Sequence, residues 1–550
     1  MVVILISALV LISVFAGIGA FTERLLHTEK SNISFTVLKG MTVITLLWTL
    51  LSFFVPLNSF LEGFTVALGI AFFFWLKIYL IFLNFVKENP IFIGLAVIVS
   101  FFGSFHPYIL DHFGYYVPTV KWLSEFGIIK GISNLDLILG QMSFWHVLQA
   151  GFSHFTDSFL RLNSVFLLIY LIYIFEKKSW LHLAFLPLLF LFSQQPSPDL
   201  PVFVFSLIIL NEFLDGNKNF GFLLTLSVFV FAIKPTAVWL PLLFLLSWSS
   251  FTKKDFRQLI PAALLLLLFF FKNIWTFGYP VFPVQLADFG FNWKPNAELL
   301  QNSSKLAVEK TFDLQYSFDQ IKNFSIDEYL INWLTLSGIK GIINSLFLLS
   351  LLAMIIFSII KRNRKIWIIS IALFIKSVAV LLFSAQYRFF LDVFFAVAFV
   401  LLYQNFSKIK SWTTFSVLTA VVVTFFLFPK VIQTQIPSFS LGFALGKFEW
   451  KQLMKPAVYE YSKYSSYQIG NLKFNAVKDY PFSFETPLPA ISPGFILEYY
   501  HAGIFPQLKS TQLKDGFVWK KLSDNEKSEV KKILIELNIN PETNYYSTQR

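Results

Sequence analysis

The chain has 550 residues, of which 56% are hydrophobic and only 14% charged, with a formal net charge of +12 and no cysteine. This apolar content exceeds that of a soluble globular domain, and a mean hydropathy of +0.65 agrees, so the composition predicts an integral membrane protein. The basic residues stand in short clusters between apolar runs, which argues against a nucleic-acid partner, and the lack of cysteine excludes disulfides, thiolate metal sites and thiol nucleophiles.

In chain order, the apolar segments predict an all-α polytopic membrane protein with about 14 transmembrane helices. The first segment lacks a basic n-region and is longer than a signal-peptide core, so we expect it to be retained as a spanning helix. Several segments between 159 and 251 fall short of the roughly 20 residues of a usual span, which leaves re-entrant or broken helices as an alternative. The predicted spans are residues 2–21, 36–56, 63–84, 90–105, 159–175, 179–194, 199–214, 219–234, 236–251, 258–275, 336–360, 366–385, 388–404 and 412–430.

Clusters of Lys and Arg follow alternate predicted spans, as at Lys177 and Lys178. Because basic loops stay in the cytoplasm, these clusters define an inner side. The two long polar loops, residues 106–158 and 276–335, are then expected on the outer side, together with both termini.

The outer segments carry their own helical signals. In the first loop, residues 115–126 and 139–154 show apolar residues at helical spacing, so we expect interfacial helices lying on the membrane, with Trp122 and Trp145 as anchors. The second loop opens with the rigid turn 278–283 and is expected to cover a cavity.

The long apolar segments end near residue 430, and alternating polar and aromatic segments follow. We expect residues 1–430 to form the transmembrane domain and residues 431–550 to form a small outward-facing C-terminal domain, α+β or irregular, with a helix near 525–537.

Polar residues cluster where the first outer loop begins. Asp111 stands where an outward carboxylate could accept a proton from a sugar hydroxyl, although a helix cap or a salt bridge would also explain it. His106 and His112 flank it as candidates for binding a phosphate or a metal, or simply as interfacial polar residues, since their spacing matches no specific ligand motif. Asp199 could lie near Asp111 or be an ordinary helix cap.

Cationic residues near the outer boundary would neutralise a lipid-linked phosphate, and Arg388, Lys234 and Lys272 are the candidates. Arg388 stands four residues before Asp392, so these two could instead pair along one helix face. Lys376 lies in the middle of an apolar span, which costs about 2.5–3.5 kcal/mol unless the amine finds a partner or a water cavity. Asp392 is the candidate partner of Lys376.

The chain has no Walker A loop, dinucleotide fingerprint, zinc-protease motif or serine-hydrolase elbow. Several of its runs resemble a group of poorly characterised bacterial polytopic membrane proteins that is similar to the glycosyltransferase-C (GT-C) superfamily. The resemblance covers about residues 105–390. The matching runs are Asp111-His112-Phe113-Gly114-Tyr115-Tyr116, Ser197-Pro198-Asp199, Lys272-Asn273, Gly278-Tyr279-Pro280 and Tyr387-Arg388-Phe389.

The resemblance implies a GT-C-like fold in the bacterial cytoplasmic (inner) membrane. It also implies inverting transfer of a sugar from a polyprenyl-phosphate-linked donor to a glycan or lipid acceptor on the outer face, in cell-envelope glycan or glycolipid synthesis. Asp111 would act as the base, Arg388 and Lys272 would hold the phosphate leaving group, and the second loop would close over the site. Membrane lipids are further expected partners. No cofactor or metal is assigned, and a divalent cation is left open. The catalytic candidates are Asp111 and Asp199, and the substrate-binding candidates are His106, His112, Tyr115, Lys234, Lys272, Tyr279, Lys376 and Arg388.

Two alternatives stand beside sugar transfer. A lipid-linked oligosaccharide flippase or another transporter would explain a buried cation such as Lys376, although transporters usually keep their loops short. A surface-polysaccharide polymerase or ligase would differ chiefly in transferring a whole glycan.

Overall fold

The computed structural model describes residues 1–27, 31–248, 256–430, 448–461 and 463–542. The end of the predicted span 236–251, the basic residues Lys253 and Lys254 and the first part of the predicted C-terminal domain lie outside the described residues. The described chain is mostly helical, with two short β-hairpins near its C-terminal end.

The α-helices are numbered along the described chain. Those before the second loop are α1 Val2–Leu25, α2 Ile33–Leu51, α3 Ser59–Trp75, α4 Ile78–Glu88, α5 Ile91–Gly103, α6 Val117–Glu125, α7 Phe144–Gly151, α8 Leu162–Lys177, α9 Leu181–Leu189, α10 Asp199–Asp215, α11 Phe220–Ile233, α12 Trp239–Ser247 and α13 Ile260–Phe277. The others are α14 Ala297–Thr311, α15 Phe318–Lys322, α16 Ile326–Leu334, α17 Ile339–Lys361, α18 Arg364–Phe383, α19 Leu391–Leu402, α20 Lys408–Leu427, α21 Pro493–His501 and α22 Asp524–Glu536.

Within the described residues, six helices are long and apolar enough to cross a membrane, and a seventh span is reached if the bent pair α3–α4 counts as one. The six are Val2–Leu25, Ile33–Leu51, Arg257–Phe277, Ile339–Lys361, Arg364–Phe383 and Lys408–Leu427. Other apolar helices, including α5, α11 and α19, are shorter than a full span. The structure thus gives a helical chain with several candidate membrane spans, and the count of about 14 stays a prediction.

The predicted span 63–84 is not one continuous helix. Its two halves, α3 and α4, meet at 74°. Lys77 lies in the break with a φ of 56°, in the left-handed region, which a right-handed helix cannot pass through. The apolar pattern continues across the break, so hydropathy alone could not reveal it.

Helices α1 and α3 approach each other closely at glycines. A methyl group added at Gly17 would lie 2.0 Å from the carbonyl oxygen of Gly69 and 2.8 Å from the backbone nitrogen of Phe73. Small residues allow such close approach of helix backbones, and the dispersion contacts that follow are a main source of helix association in lipid.

The bundle has two distinct ends. At one of them Lys177 forms an ion pair with Glu212 at 2.9 Å, and Lys365 donates to the carbonyl of Leu214 at 2.8 Å. These contacts join the ends of α8 and α10 to the turn between α17 and α18. We call this the basic end.

The opposite end gathers the first residue, the loop after α5 and the C-terminal segment. The ammonium group of Met1 donates to the carbonyl of Gln452 at 2.7 Å, and the backbone N–H of Ala457 donates to Ser104 at 2.8 Å. We call this the loop end. The two long loops predicted for one side do share it.

A buried arginine ties the loop end together. Arg161 is 1% exposed, and its guanidinium donates to the carbonyl oxygens of Gly103 at 2.9 Å, Phe159 at 2.5 Å, Phe105 at 3.4 Å and Ala457 at 2.5 Å. The planar fork of arginine suits such divergent acceptors. The side chain therefore links the end of α5, the start of α8 and the C-terminal segment.

The C-terminal segment is α+β in the described residues. Two antiparallel hairpins, β1 Tyr464–Ile469 with β2 Leu472–Val477 and β3 Ile504–Leu508 with β4 Phe517–Lys521, accompany α21 and α22. The helix predicted near 525–537 is confirmed as α22, which begins with a capping box between Ser523 and Glu526.

This segment docks on both long loops. The backbone N–H of Phe484 donates to the carbonyl of Phe113 at 3.0 Å, and the indole of Trp519 donates to Lys294 at 3.2 Å. Lys121 of α6 donates to the carbonyl of Glu485 at 3.0 Å. The segment therefore covers the loops rather than standing apart from them.

The first loop is helical where predicted, but its helices are not interfacial. Trp122 on α6 and Trp145 on α7 are both 0% exposed, and the Trp145 indole donates to Asn163 at 2.7 Å. The expectation of membrane anchors is wrong because protein surrounds both helices: the C-terminal segment packs on α6, and α2 packs on α7. Periodicity marks a covered face but does not tell lipid from protein.

Candidate functional site

The first long loop carries an exposed ion pair. Asp111 Oδ2 lies 3.2 Å from Arg388 Nη1, and the two side chains are 47% and 42% exposed. Asp111 precedes a π-helical turn, His112–Tyr116, in which the N–H of Val117 donates to the carbonyl of His112. Arg388 lies in a short 3₁₀ turn, Tyr387–Phe389, after α18. A solvent-accessible carboxylate thus meets a guanidinium 277 positions further along the chain.

A second ion pair adjoins the first. Asp199 opens α10, where the Ser197 hydroxyl accepts its backbone N–H at 3.2 Å. Its carboxylate accepts from the amine of Lys234, at the end of α11, and this amine also donates to the backbone carbonyl of Arg388 at 3.3 Å. Asp199 is therefore both an element of the helix start and a neighbour of the Asp111–Arg388 pair.

A third pair lies deeper between the helices. Lys376 on α18 donates to Asp392 on α19, with side chains 1% and 5% exposed, and the indole of Trp239 donates to the other carboxylate oxygen at 2.8 Å. The predicted partnership of Lys376 with Asp392 is confirmed. The alternative pairing of Arg388 with Asp392 along one helix face is wrong, because each takes a partner on another element.

The second loop adds a cation that the sequence did not single out. Helix α14 docks on the segment before Arg388, where the N–H of Ala385 donates to Thr311 Oγ1 at 3.1 Å. Lys310, beside Thr311, is half-buried, and the charges of Arg388 and Asp111 both act on it. Burial, and secondly Arg388, lower the pKa of Lys310. No sequence motif identifies Lys310, because its position near Arg388 depends on how the second loop folds.

Lys310 also connects the site to the C-terminal segment. Its amine interacts electrostatically with Glu498 of α21. Burial, and secondly the nearby Asp136, raise the pKa of Glu498 to about 8. Burial likewise raises the pKa of Asp136, on the first loop, to about 7. Two carboxyl groups that resist ionisation thus meet where both loops and α21 join.

Aromatic and imidazole rings lie behind the first pair. The ring centroids of Tyr115 and Tyr116 lie 5.0 and 5.1 Å from that of His146. The Nε2 of His146 lies 3.0 Å from the carbonyl of Pro196, so Nε2 carries the proton, because a carbonyl can only accept. Burial raises the pKa of Tyr116 well above its ordinary value, and the charges of Asp111 and Asp199 raise it further.

The two histidines proposed beside Asp111 both have a lowered pKa. Burial, and then the charge of Arg161, lower the pKa of His112 well below its ordinary value, and the pKa of His106 falls for the same two reasons. His106 lies in the field of Arg161 and Glu449 rather than of Asp111. A charge-based role of either histidine in phosphate binding therefore has no support in this geometry.

Two further candidates lie elsewhere. Lys272 is fully buried, and its amine donates to the carbonyl oxygens of Gln141 at 2.5 Å and Met142 at 3.1 Å, so it fastens α13 to the first loop. Tyr279 is 4% exposed and packs on Phe277, with ring centroids 5.3 Å apart. The structure does not bring either side chain to the Asp111–Arg388 pair.

Across the ranges that the structure describes, no three His, Asp or Glu side chains are grouped so that they could hold a metal ion. The site is built from ion pairs: Asp111 with Arg388, and Asp199 with Lys234. Its evident capacity is to exchange protons with a ligand and to bind an anion.

Comparison with protein families gives one match. The family described as "Domain of unknown function (DUF8201)" matches residues 1–395. The chain belongs to this family. No curated protein and no solved structure matches it.

The DUF8201 match contains the three ion pairs in full, since it ends three residues beyond Asp392. It also contains Lys310 on the second loop. The hairpins and α21, which dock on the loops, lie outside the DUF8201 region. The charged site is thus built by the family domain, and the C-terminal segment adds a cover.

Proposed function

We propose that this DUF8201 protein is a membrane glycosyltransferase of GT-C type. It moves a sugar, with inversion, from a polyprenyl-phosphate-linked donor to a hydroxyl of a glycan or lipid acceptor. The observation that carries the proposal is the accessible carboxylate of Asp111 against Arg388, with Lys234 and Lys310 beside it. The proposal includes about 14 spans in a bacterial cytoplasmic membrane, with the loop end and both termini outside.

The charges at the site suit sugar transfer from a phosphate-linked donor. Arg388 and Lys234 pair with Asp111 and Asp199, and Lys310 lies in the field of Asp111, so with all five groups ionised the site carries one net positive charge before a substrate binds. When Asp111 takes the proton of the acceptor hydroxyl, the net charge rises by one. In the same step the acceptor oxygen bonds to the anomeric carbon, the bond to the phosphate oxygen breaks, and the polyprenyl phosphate leaves with one more negative charge. The site thus gains positive charge as the leaving group gains negative charge.

Arg388 can exchange Asp111 for a substrate phosphate because the Asp111–Arg388 pair is exposed to solvent. An exposed ion pair is worth only about 0–1 kcal/mol, so Arg388 can leave Asp111 for a phosphate at small cost. The guanidinium offers a bidentate fork to the phosphate oxygens. The Lys234 amine holds the Arg388 backbone in place through its hydrogen bond to the Arg388 carbonyl. Helix α14 also restricts the position of Arg388, because Thr311 accepts a hydrogen bond from the backbone of Ala385, three residues before Arg388.

A flippase for lipid-linked oligosaccharides is the second candidate. The observation that favours it is the Lys376–Asp392 pair enclosed between α18 and α19, since ionisable residues at membrane depth often mark transport pathways. Sugar transfer is preferred because the two more accessible pairs lie at the loop end, where an acceptor can reach them.

The deciding experiment compares Asp111→Asn with the wild type. The purified proteins are reconstituted with polyprenyl-phosphate sugars and candidate acceptors, and sugar transfer is measured. Loss of the base should lower the rate about 10²–10⁴-fold, with little loss of stability because the side chain is half-exposed.

The matched control is Asp288→Asn. Asp288 pairs with Lys294 in the second loop and is 48% exposed, close to the 47% of Asp111. This control should transfer sugar at the wild-type rate. Equal transfer by the wild type and Asp111→Asn would overturn the base assignment, and lipid translocation without any transfer would select the flippase.

A further inference from the structure

A cavity of about 250 Å³ opens at the basic end, far from the proposed transfer site. It lies between the end of α10, the turn joining α17 to α18, and the end of α19. Its polar lining consists of Lys361, Asn363, Lys365, Tyr403, Gln404 and Asn405.

Both lysines of the lining are available to an anion. Lys361 is exposed, and the described residues include no carboxylate within ion-pair distance of it or of Lys365. Lys365 is held in place by its hydrogen bond to the Leu214 carbonyl. The nearby carboxylate of Asp215 already accepts from the Tyr403 hydroxyl and from Asn211, so it is engaged away from both amines.

The surroundings of the cavity are apolar. Phe357 and Ile366 line its wall, and next to it α17 turns large side chains outward, among them Ile356 at 47% and Ile360 at 69% exposed. Only 22% of the most apolar stretch of α17 is buried. A cationic cavity thus continues into a long apolar helix face.

We propose that this cavity binds the phosphate headgroup of an anionic lipid whose acyl chains lie along α17. Basic pockets between transmembrane helices bind such headgroups by charge and by hydrogen bonds. Lys361 and Lys365 neutralise the phosphate, and the amides of Asn405 and Gln404 offer neutral donors beside it. A soluble phosphate compound would use the same polar groups but not the apolar face. The site does not depend on the activity proposed for the loop end.

The test measures lipid retention by native mass spectrometry. The full chain is extracted from vesicles of phosphatidylglycerol and phosphatidylcholine in equal parts, and the bound lipid is identified. The wild type should retain phosphatidylglycerol preferentially. Lys361→Gln should reduce that retention roughly fivefold, and Lys361→Gln/Lys365→Gln further, because each basic residue near an anionic lipid contributes about that factor.

A control variant and the few contacts of the Lys361 side chain separate loss of lipid binding from loss of folding. Lys218→Gln removes an exposed lysine from the same end without touching the cavity lining and should retain lipid as the wild type does. Among the residues that the structure describes, the Lys361 side chain has no hydrogen bond or ion pair and makes a cation–π contact with Phe357 at 5.5 Å, so its single variant should fold normally.

Three outcomes would overturn the proposal. One is equal retention of the two lipids by the wild type. Another is retention of phosphatidylglycerol by Lys361→Gln at the wild-type level. The third is displacement of phosphatidylglycerol by inorganic phosphate at comparable concentration, which would assign the cavity to a soluble phosphate compound.

Discussion

The Lys376–Asp392 pair should show a stability pattern that separates it from the exposed pair at the site. Lys376→Met leaves the Asp392 carboxylate enclosed, with the Trp239 indole as its remaining donor. Breaking a buried pair by removing one partner costs about 3–5 kcal/mol. Because the indole hydrogen bond persists, we expect the lower end of that range, about 3 kcal/mol.

The reciprocal change, Asp392→Asn, should cost a similar amount because it leaves the Lys376 amine unpaired. An asparagine can still accept from Trp239, so the double variant Lys376→Met/Asp392→Asn removes both charges and keeps that hydrogen bond. We expect the double variant to lose only about 1 kcal/mol, less than either single variant, because neither charge then remains buried without its partner.

Equilibrium unfolding in mixed micelles, followed by tryptophan fluorescence, would measure these free energies. Arg388→Met serves as the control for an exposed pair and should cost no more than about 1 kcal/mol. Equal stability of Lys376→Met and Arg388→Met would contradict the expected cost of a buried unpaired carboxylate, and so would a double variant no more stable than the two single variants.

Three further predictions concern other parts of the fold. Burial raises the pKa of Glu498 to about 8 from an ordinary 4.5, so ionisation of this side chain opposes folding. The docking of α21 should therefore weaken as pH rises from about 4.5 to about 8. Glu498→Gln should reduce this pH dependence, measured as the hydrogen exchange of α21. Arg161→Lys should lower the free energy of unfolding by roughly 1–3 kcal/mol for each buried carbonyl left unpartnered, and an unchanged denaturation midpoint would contradict this. Gly17→Ala should lower the thermal midpoint because its methyl group meets the Gly69 carbonyl, whereas Gly94→Ala, with nothing within 4 Å of its added methyl group, should not; equal midpoints would refute the packing argument.

The sequence predicted the class of the chain and much of its charged site. Composition gave a membrane protein, and the cost of an unpaired lysine in an apolar span led to Asp392 as the partner of Lys376, which the structure confirms. The sequence places Asp199 either near Asp111 or at a helix cap, and its link through Lys234 to the Arg388 carbonyl fits the first description. The cap description is wrong, because Pro198 is the N-cap residue and Asp199 lies in the first turn of α10 without a side-chain cap hydrogen bond.

The errors have a common physical origin. Spacing of four residues suggested Arg388 with Asp392, but such spacing describes neighbours on one helix and is silent about the helix opposite. Amphipathic spacing in the first loop predicts membrane contact for Trp122, but the C-terminal segment covers this residue, and spacing within the loop carries no information about that segment. Lys310 was missed for the same reason, since its position depends on tertiary docking.

The π-helical turn His112–Tyr116 gives the first loop an unusual sensitivity to chain length. A turn closed by a bond between residues five apart holds one residue more than an α-helical turn. Removing that residue would let the turn relax to an α-helix and rotate everything before it by about 100° relative to α6. Asp111 would then point away from Arg388 although every side chain of the site was still present. The length of this turn, and not only its residue types, thus sets the direction of the carboxylate.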